Sequence, residues 1–159
     1  MIYRKKSGIA PAGGARQVRV RGVLPDDLEQ VIEIDTMVTG LRKAGYWAEI
    51  LRRYGSGRRQ RYFLVAEADG RIEGYVIGEV RDWEFGSPPC GWVFAISVRP
   101  DARLGGTGTG LLEAISDSFR RAGVSKLRTM LARDNQLILS FFRSQGMMAA
   151  PFIPLEKDL

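Results

Sequence analysis

Four glycines, Gly105, Gly106, Gly108 and Gly110, stand between an apolar run ending at Val98 and a helical stretch that opens near Thr109. Residues this poor in side chains let an anion approach the backbone closely. Amides that converge ahead of a helix, aided by the helix dipole, favour a phosphate there. Arg103 adds formal charge beside them. The chemistry this points to is retention of a pyrophosphate at the glycine turn, beside Arg103. A Walker A loop would close on Gly-Lys-Ser/Thr, and no lysine is present in the stretch. A dinucleotide fingerprint would need glycine three residues after Gly108, where Leu111 stands.

Other chemistries are bounded by what the chain lacks. It has no histidine and one cysteine, Cys90. Ser–His–Asp triads, Cys–His dyads and histidine-ligated metal sites are therefore excluded, and no metal ion is expected. A single cysteine permits no intrachain disulfide and fits a reducing cytoplasm. The net charge is +6 over 159 residues, which favours anionic partners. The basic residues are scattered, and the clusters at Arg52–Arg53 and Arg58–Arg59–Arg61 do not interleave with aromatics, so a nucleic-acid face is not expected. No apolar run is long enough to span a membrane.

The elements that must position the glycine turn follow from pattern. Residues 1–15 read as a flexible tail and 16–159 as one domain. Gln17 to Arg21 alternates as a strand, Pro25 opens a helix ended by Gly40, and a second helix runs from about Lys43 to Tyr54. Arg61 to Ala68 and Ile72 to Val80 are strands joined by Asp69–Gly70, a strong hairpin signal. Trp92 to Val98 is nearly all apolar, as in a central strand covered on both faces. After the glycines come a helix from Thr109 to Ala122, a strand from Lys126 to Leu131, a helix from Asn135 to Gln145 and a short strand from Phe152 to Leu155. The order β-α-α-β-β-β-α-β-α-β implies an α/β fold, a mixed sheet with helices on both faces.

Arg103-x-x-Gly106-x-Gly108, preceded by Val98-Arg99-Pro100 and followed by Leu111–Leu112, resembles the acyl-CoA loop of the GCN5-related N-acetyltransferase family. A second motif of that family is similar to Asn135, Phe142 and Gly146, which stand at the same spacing. The resemblance implies acetyl-CoA as cosubstrate and direct transfer of its acetyl group to a primary amine of a small-molecule or peptide acceptor. It implies that the amides of Leu104, Gly105, Gly106, Thr107, Gly108 and Thr109, with Arg103 nearby, hold the pyrophosphate. It places the pantetheine arm along Ile96, Ser97 and Val98, a main-chain amide near Val98 on the thioester carbonyl, and Asn135 and Phe142 against the arm. Tyr46 and Trp47, on the second helix, would wall the acceptor groove.

The family often has a tyrosine acid where this chain has Phe142, and a glutamate on the strand before that helix, where Met130 stands. Residues 92–98 contain no acid, so the candidate bases are Glu79, Asp82 and Glu84, with Glu79 favoured over Glu84. Two other readings share the fold: an acyl-CoA-binding module without catalysis, and an interaction protein whose basic surface meets nucleic acid. Only thirteen residues follow Gly146. Beside the family's usual terminal hairpin this end looks shortened, which would leave the acceptor cleft open, or a sheet edge available to a partner such as a second copy.

Overall fold

The computed structural model describes residues 16–159; the tail expected at 1–15 lies outside them. A five-stranded sheet in the order β1-β2-β3-β4-β5 forms the middle layer. Its strands are β1 (Arg19–Gly22), β2 (Arg61–Ala68), β3 (Arg71–Arg81), β4 (Cys90–Val98) and β5 (Leu127–Arg128). The first four run antiparallel in sequence order, and β5 joins β4 in parallel. Asp69 and Gly70 both take positive φ, at 52° and 75°, the geometry a two-residue hairpin needs to follow the strand twist.

Two helices cover each face. Helices α1 (Leu28–Thr39) and α2 (Ala44–Tyr54) lie on one side, where Val31, Ile34, Trp47 and Ile50 meet Phe63, Val65, Tyr75 and Ile77. Helices α3 (Thr107–Arg121) and α4 (Gln136–Ser144) lie on the other, where Leu111, Ile115, Phe119 and Phe142 meet Ala66, Val76 and Val93. Alternation along β3 divides these sets: Tyr75 and Ile77 go to the first core, Val76 to the second.

Several expectations are corrected. The fully covered strand is β3, buried from Ile72 to Gly78, whereas β4 is only half-buried beyond Val93. The strand expected over 126–131 shrinks to two residues, because the chain leaves β4 after Arg128. The strand expected from Phe152 to Leu155 is absent. Pro151 and Pro154 bracket its core, and neither has an N–H to give a ladder. Helix α3 begins at Thr107, not Thr109, after a 3-10 turn over Pro100–Gly105. Pro25 to Asp27 form a 3-10 turn rather than the first turn of α1.

Candidate active site

Gly106 joins the 3-10 turn to α3 with φ of 79°, a left-handed value that glycine adopts without strain. A Cβ on Gly105 or Gly106 would meet nothing within 4 Å, so this backbone faces open space. No side chain caps the first turn of α3, which leaves its leading amides free for an external acceptor. Gly108 has a different role: a Cβ there would stand 3.2 Å from Cε2 of Phe141 and 3.7 Å from Cγ2 of Val98. Its bare backbone lets α4 and β4 close on the helix start.

The side chains around this turn divide by direction. Arg103 is exposed and donates from Nε to the Val98 carbonyl at 3.4 Å, which leaves the rest of its guanidinium in solvent. Leu104 is fully exposed. Thr107 is buried and turns inward, donating to Oε2 of Glu73 at 3.3 Å. Glu73 is itself buried and pairs through its other oxygen with Arg16. The Thr109 hydroxyl accepts from Nε2 of Gln145 at 3.1 Å, tying α3 to α4. Main chain and the Arg103 side chain are therefore what this turn leaves open to an anion; the two threonine side chains serve the scaffold.

A cleft opens where β4 and β5 part. They pair only at Gly91–Leu127 and Trp92–Arg128. One residue on, the Thr129 hydroxyl donates to the Val93 carbonyl at 2.8 Å, and beyond that the strands diverge. The register of β4 against β3 also slips: Ile77 faces Ala95 while Gly78 faces Val93, so Phe94 is the extra residue of a bulge. The resulting cavity of about 220 Å³ is bounded by Phe94, Ala95 and Ile96 on one side, by Met130 and Leu131 on the other, and by Asn135 and Phe142 at its base. Of the residues expected to hold a cofactor arm, Ile96, Asn135 and Phe142 line it. Ser97 and Val98 continue the same strand toward the glycine turn. Asn135 caps α4, its Oδ1 accepting from the Ile138 amide at 3.2 Å. Phe142 is buried against Phe141, their ring centroids 5.2 Å apart. A larger groove of about 510 Å³, between Phe85, Pro88, Arg128 and Phe152, contains none of the expected site residues.

On the opposite face of β4, Phe94 meets Tyr54 at the end of α2, with centroids 5.2 Å apart. Tyr54 donates its phenol hydrogen to Oε2 of Glu79 at 3.0 Å. Burial, with the bond to Glu79 behind it, raises the Tyr54 phenol above its ordinary value, so it remains a donor. Arg81 donates to the other Glu79 oxygen at 3.3 Å, and Arg61 lies 3.5 Å from Oε2. Glu79 is thus a half-buried carboxylate one aromatic pair away from the cleft. Glu84 is exposed and reaches only Arg81, at 4.0 Å.

Of the expected acceptor wall, Tyr46 is about half exposed, whereas Trp47 is buried and gives its indole N–H to Oδ2 of Asp35 at 2.8 Å. Trp47 is core, so its ring offers no free face to a ligand. Three features escaped the sequence reading: Tyr54, the bulge at Phe94, and Asp35. Two had signals. Tyr54 follows Trp47 and Ile50 on the buried stripe of α2, and Asp35 stands four residues after Val31, an acid in apolar register.

A mixed sheet that splays beside an uncapped helix start, with glycines at the turn, defines an acyl-CoA N-acyltransferase fold. The sequence profile described as the acetyltransferase (GNAT) family matches residues 28–147, and the chain belongs to that family. An L-2,4-diaminobutyric acid acetyltransferase of Nocardia farcinica is 38% identical over 79 residues, 50% of this chain and 39% of that protein. A mycothiol acetyltransferase of Saccharomonospora viridis is 31% identical over 88 residues, 54% of this chain and 29% of that protein. The chain thus spans well under half the length of these curated relatives. Among solved structures, aminoglycoside N-acetyltransferase AAC(6')-Iy in complex with CoA superimposes with a TM-score of 0.77 at 18% identity, covering 94% of this chain and 99% of that one. AAC(6')-Ih from Acinetobacter baumannii gives 0.76 at 16% identity, covering 90% and 99%. At such identities the likeness is one of fold. Among the described residues no helix is long and apolar enough to cross a membrane.

Proposed function

We propose that this chain is an acetyl-CoA-dependent N-acetyltransferase that acts on a primary amine by direct attack. The observation that carries the reading is the continuity between the open glycine turn at 103–109 and the cleft along Phe94–Ile96. A charged end and a narrow apolar channel adjoin, as a pyrophosphate bearing a pantetheine arm requires. Membership of the acetyltransferase family and the CoA-bound structural relative support it. Acetyl-CoA supplies a thioester carbonyl carbon open to nucleophiles.

The chain's own residues supply the rest. The amides of residues 104–109 and the Arg103 guanidinium hold the pyrophosphate, and amides of β4 beyond the bulge line the arm and polarise the thioester carbonyl. Phe142 closes the base of the cleft and excludes water, and Asn135 borders it. Glu79, held by Tyr54, Arg61 and Arg81, takes the proton that the attacking amine must lose. Phe142 has no proton to give, and the departing thiolate needs none, because thiols are acidic enough to leave as anions. Tyr46 borders the acceptor side. We assign the protein to the cytoplasm on its single buried cysteine, and read it as one domain over 16–159.

Thiol release from acetyl-CoA in the presence of an amine panel tests this reading. Amine-dependent release sustains it. CoA binding without release for any amine would favour a non-catalytic binding module, and no CoA binding would remove both.

A further inference from the structure

The end of the sheet that presents Glu79 is rich in guanidinium. Arg61 and Arg81 both contact the Glu79 carboxylate, and Arg53 and Arg61 each place a guanidinium carbon 5.5 Å from the centre of the Tyr54 ring. Arg81 also lies 4.9 Å from the centre of the Trp92 ring. Against these three cations stand Glu79, which Arg61 and Arg81 contact, Glu84, 4.0 Å from Arg81, and the exposed Asp82 next to Arg81 in the chain. Arg58 and Arg59, exposed in the turn just before β2, add to the excess. The neighbouring Arg52 is spent on Glu49 at 2.6 Å.

These charges sit on the acceptor side of the transfer site. Phe94 borders the cleft on one side and touches Tyr54 on the other, and Tyr54 holds Glu79. An amine that reaches the cleft past Phe94 brings its neighbouring groups within range of Arg61 and Arg81. Those side chains are about one-third exposed, anchored on Tyr54 and Trp92 yet open to solvent. Guanidinium on an aromatic face is well preorganised to grip a carboxylate. A polycationic acceptor would instead set ammonium groups against three guanidiniums, an arrangement that rejects it.

We propose that the acceptor is a small amino acid, an amine carried on a molecule that also bears a carboxylate, and that Arg61 and Arg81 receive that carboxylate. The proposal rests on the acetyltransferase reading and adds the substrate class to it. Arg61 and Arg81 are specificity residues, with Glu79 between them and the reacting amine.

The test compares diamino acids with their decarboxylated counterparts: 2,4-diaminobutyrate with 1,3-diaminopropane, ornithine with putrescine, and lysine with cadaverine. Thiol release from acetyl-CoA gives kcat/KM for each, and calorimetry on the CoA-saturated protein gives binding whether or not transfer follows. The acid of at least one pair is expected to exceed its diamine by about tenfold or more, as one added charge-assisted contact predicts. Arg61→Gln and Arg81→Gln should each shrink that ratio, with CoA affinity unmoved; both also hold Glu79, so the acid-to-diamine ratio within each variant is the readout, not its absolute rate. Diamines that bind or react as well as the acids in every pair would overturn the proposal while leaving the acetyltransferase reading intact. Failure of CoA to bind would strike that reading instead, and binding of the amino acids to the CoA-free protein would still decide the carboxylate site.

Discussion

Asp35 and Trp47 are joined across the α1–α2 interface by a 2.8 Å hydrogen bond from the indole N–H to Oδ2, inside a core that leaves each less than one-tenth exposed. Lys43 reaches the same carboxylate at 3.0 Å. The pair fixes the angle of the helix that carries Tyr54 to the edge of the site. Asp35→Ala should destabilise the fold by about 1–3 kcal/mol, because it strands a buried donor. Trp47→Phe in the same background should then cost less than it does alone. A double-mutant cycle on urea midpoints measures the coupling, and strict additivity would show that the bond carries none.

The glycine turn separates two effects. Gly106→Ala meets open space but forces a left-handed φ, and should lower stability by about 1–2 kcal/mol. Gly108→Val has an ordinary φ but pushes into Phe141, with an overpacking cost of about 1–3 kcal/mol. Gly108→Val should also weaken CoA by about tenfold or more, since a side chain wedged against Phe141 and Val98 displaces the start of α3, whose amides are proposed to hold the pyrophosphate. Calorimetry that finds CoA affinity equal to wild type would place the site elsewhere.

Phe142→Tyr adds a hydroxyl to a ring that already borders the cleft. Turnover should be preserved or raised. A loss beyond about tenfold, with the fold intact by circular dichroism, would mark the ring as packing that tolerates no hydroxyl.

Glu79→Gln should lower kcat/KM by about 10² to 10⁴ and erase the acidic limb of the pH–rate profile. Glu84→Gln, exposed and 4.0 Å from its one partner, should resemble wild type. If both variants keep full rate and the acidic limb, bulk water or the substrate accepts the proton.

Stability should depend on pH through Asp27. Burial alone would raise its carboxyl, but the Arg21 guanidinium, at 2.6 Å, and the Leu24 amide outweigh it and hold the carboxyl below its ordinary value of 3.8. A depressed folded-state value means the stabilisation is fully present above the unfolded value and disappears as pH falls through the folded one. Unfolding free energy should therefore decline below about pH 4. Asp27→Asn should be less stable at neutral pH and flatter across that window, as read from urea titrations.

The parts of this site legible in the sequence are those written in local chemistry. Asp69–Gly70 announced its hairpin, the glycines before Leu111–Leu112 announced an open backbone, and the apolar stripe of Leu112, Ile115 and Phe119 announced which face of α3 is buried. Features that depend on a neighbour were not legible. Lys126 to Leu131 has the composition of a strand throughout, yet pairing stops at Arg128, because strand length is a property of two chains of residues and β4 turns away. The bulge at Phe94 is equally silent: nothing in Val93–Phe94–Ala95 distinguishes it from a regular apolar strand. Trp47 and its neighbour Tyr46 differ by one helical step, enough to send one ring to the core and the other to the surface.

The early parting of β4 and β5 also divides a single strand in time. Alternate amides of an antiparallel strand point to opposite neighbours. From Phe94 to Val98, those turned toward β3 are locked in a ladder, whereas those turned toward β5 find no strand to accept them. Hydrogen exchange along these five residues should therefore alternate, slow then fast, like a comb with every second tooth loose. The fast teeth mark the edge along which a cofactor arm would lie, and their slowing on addition of CoA would record its arrival one peptide group at a time.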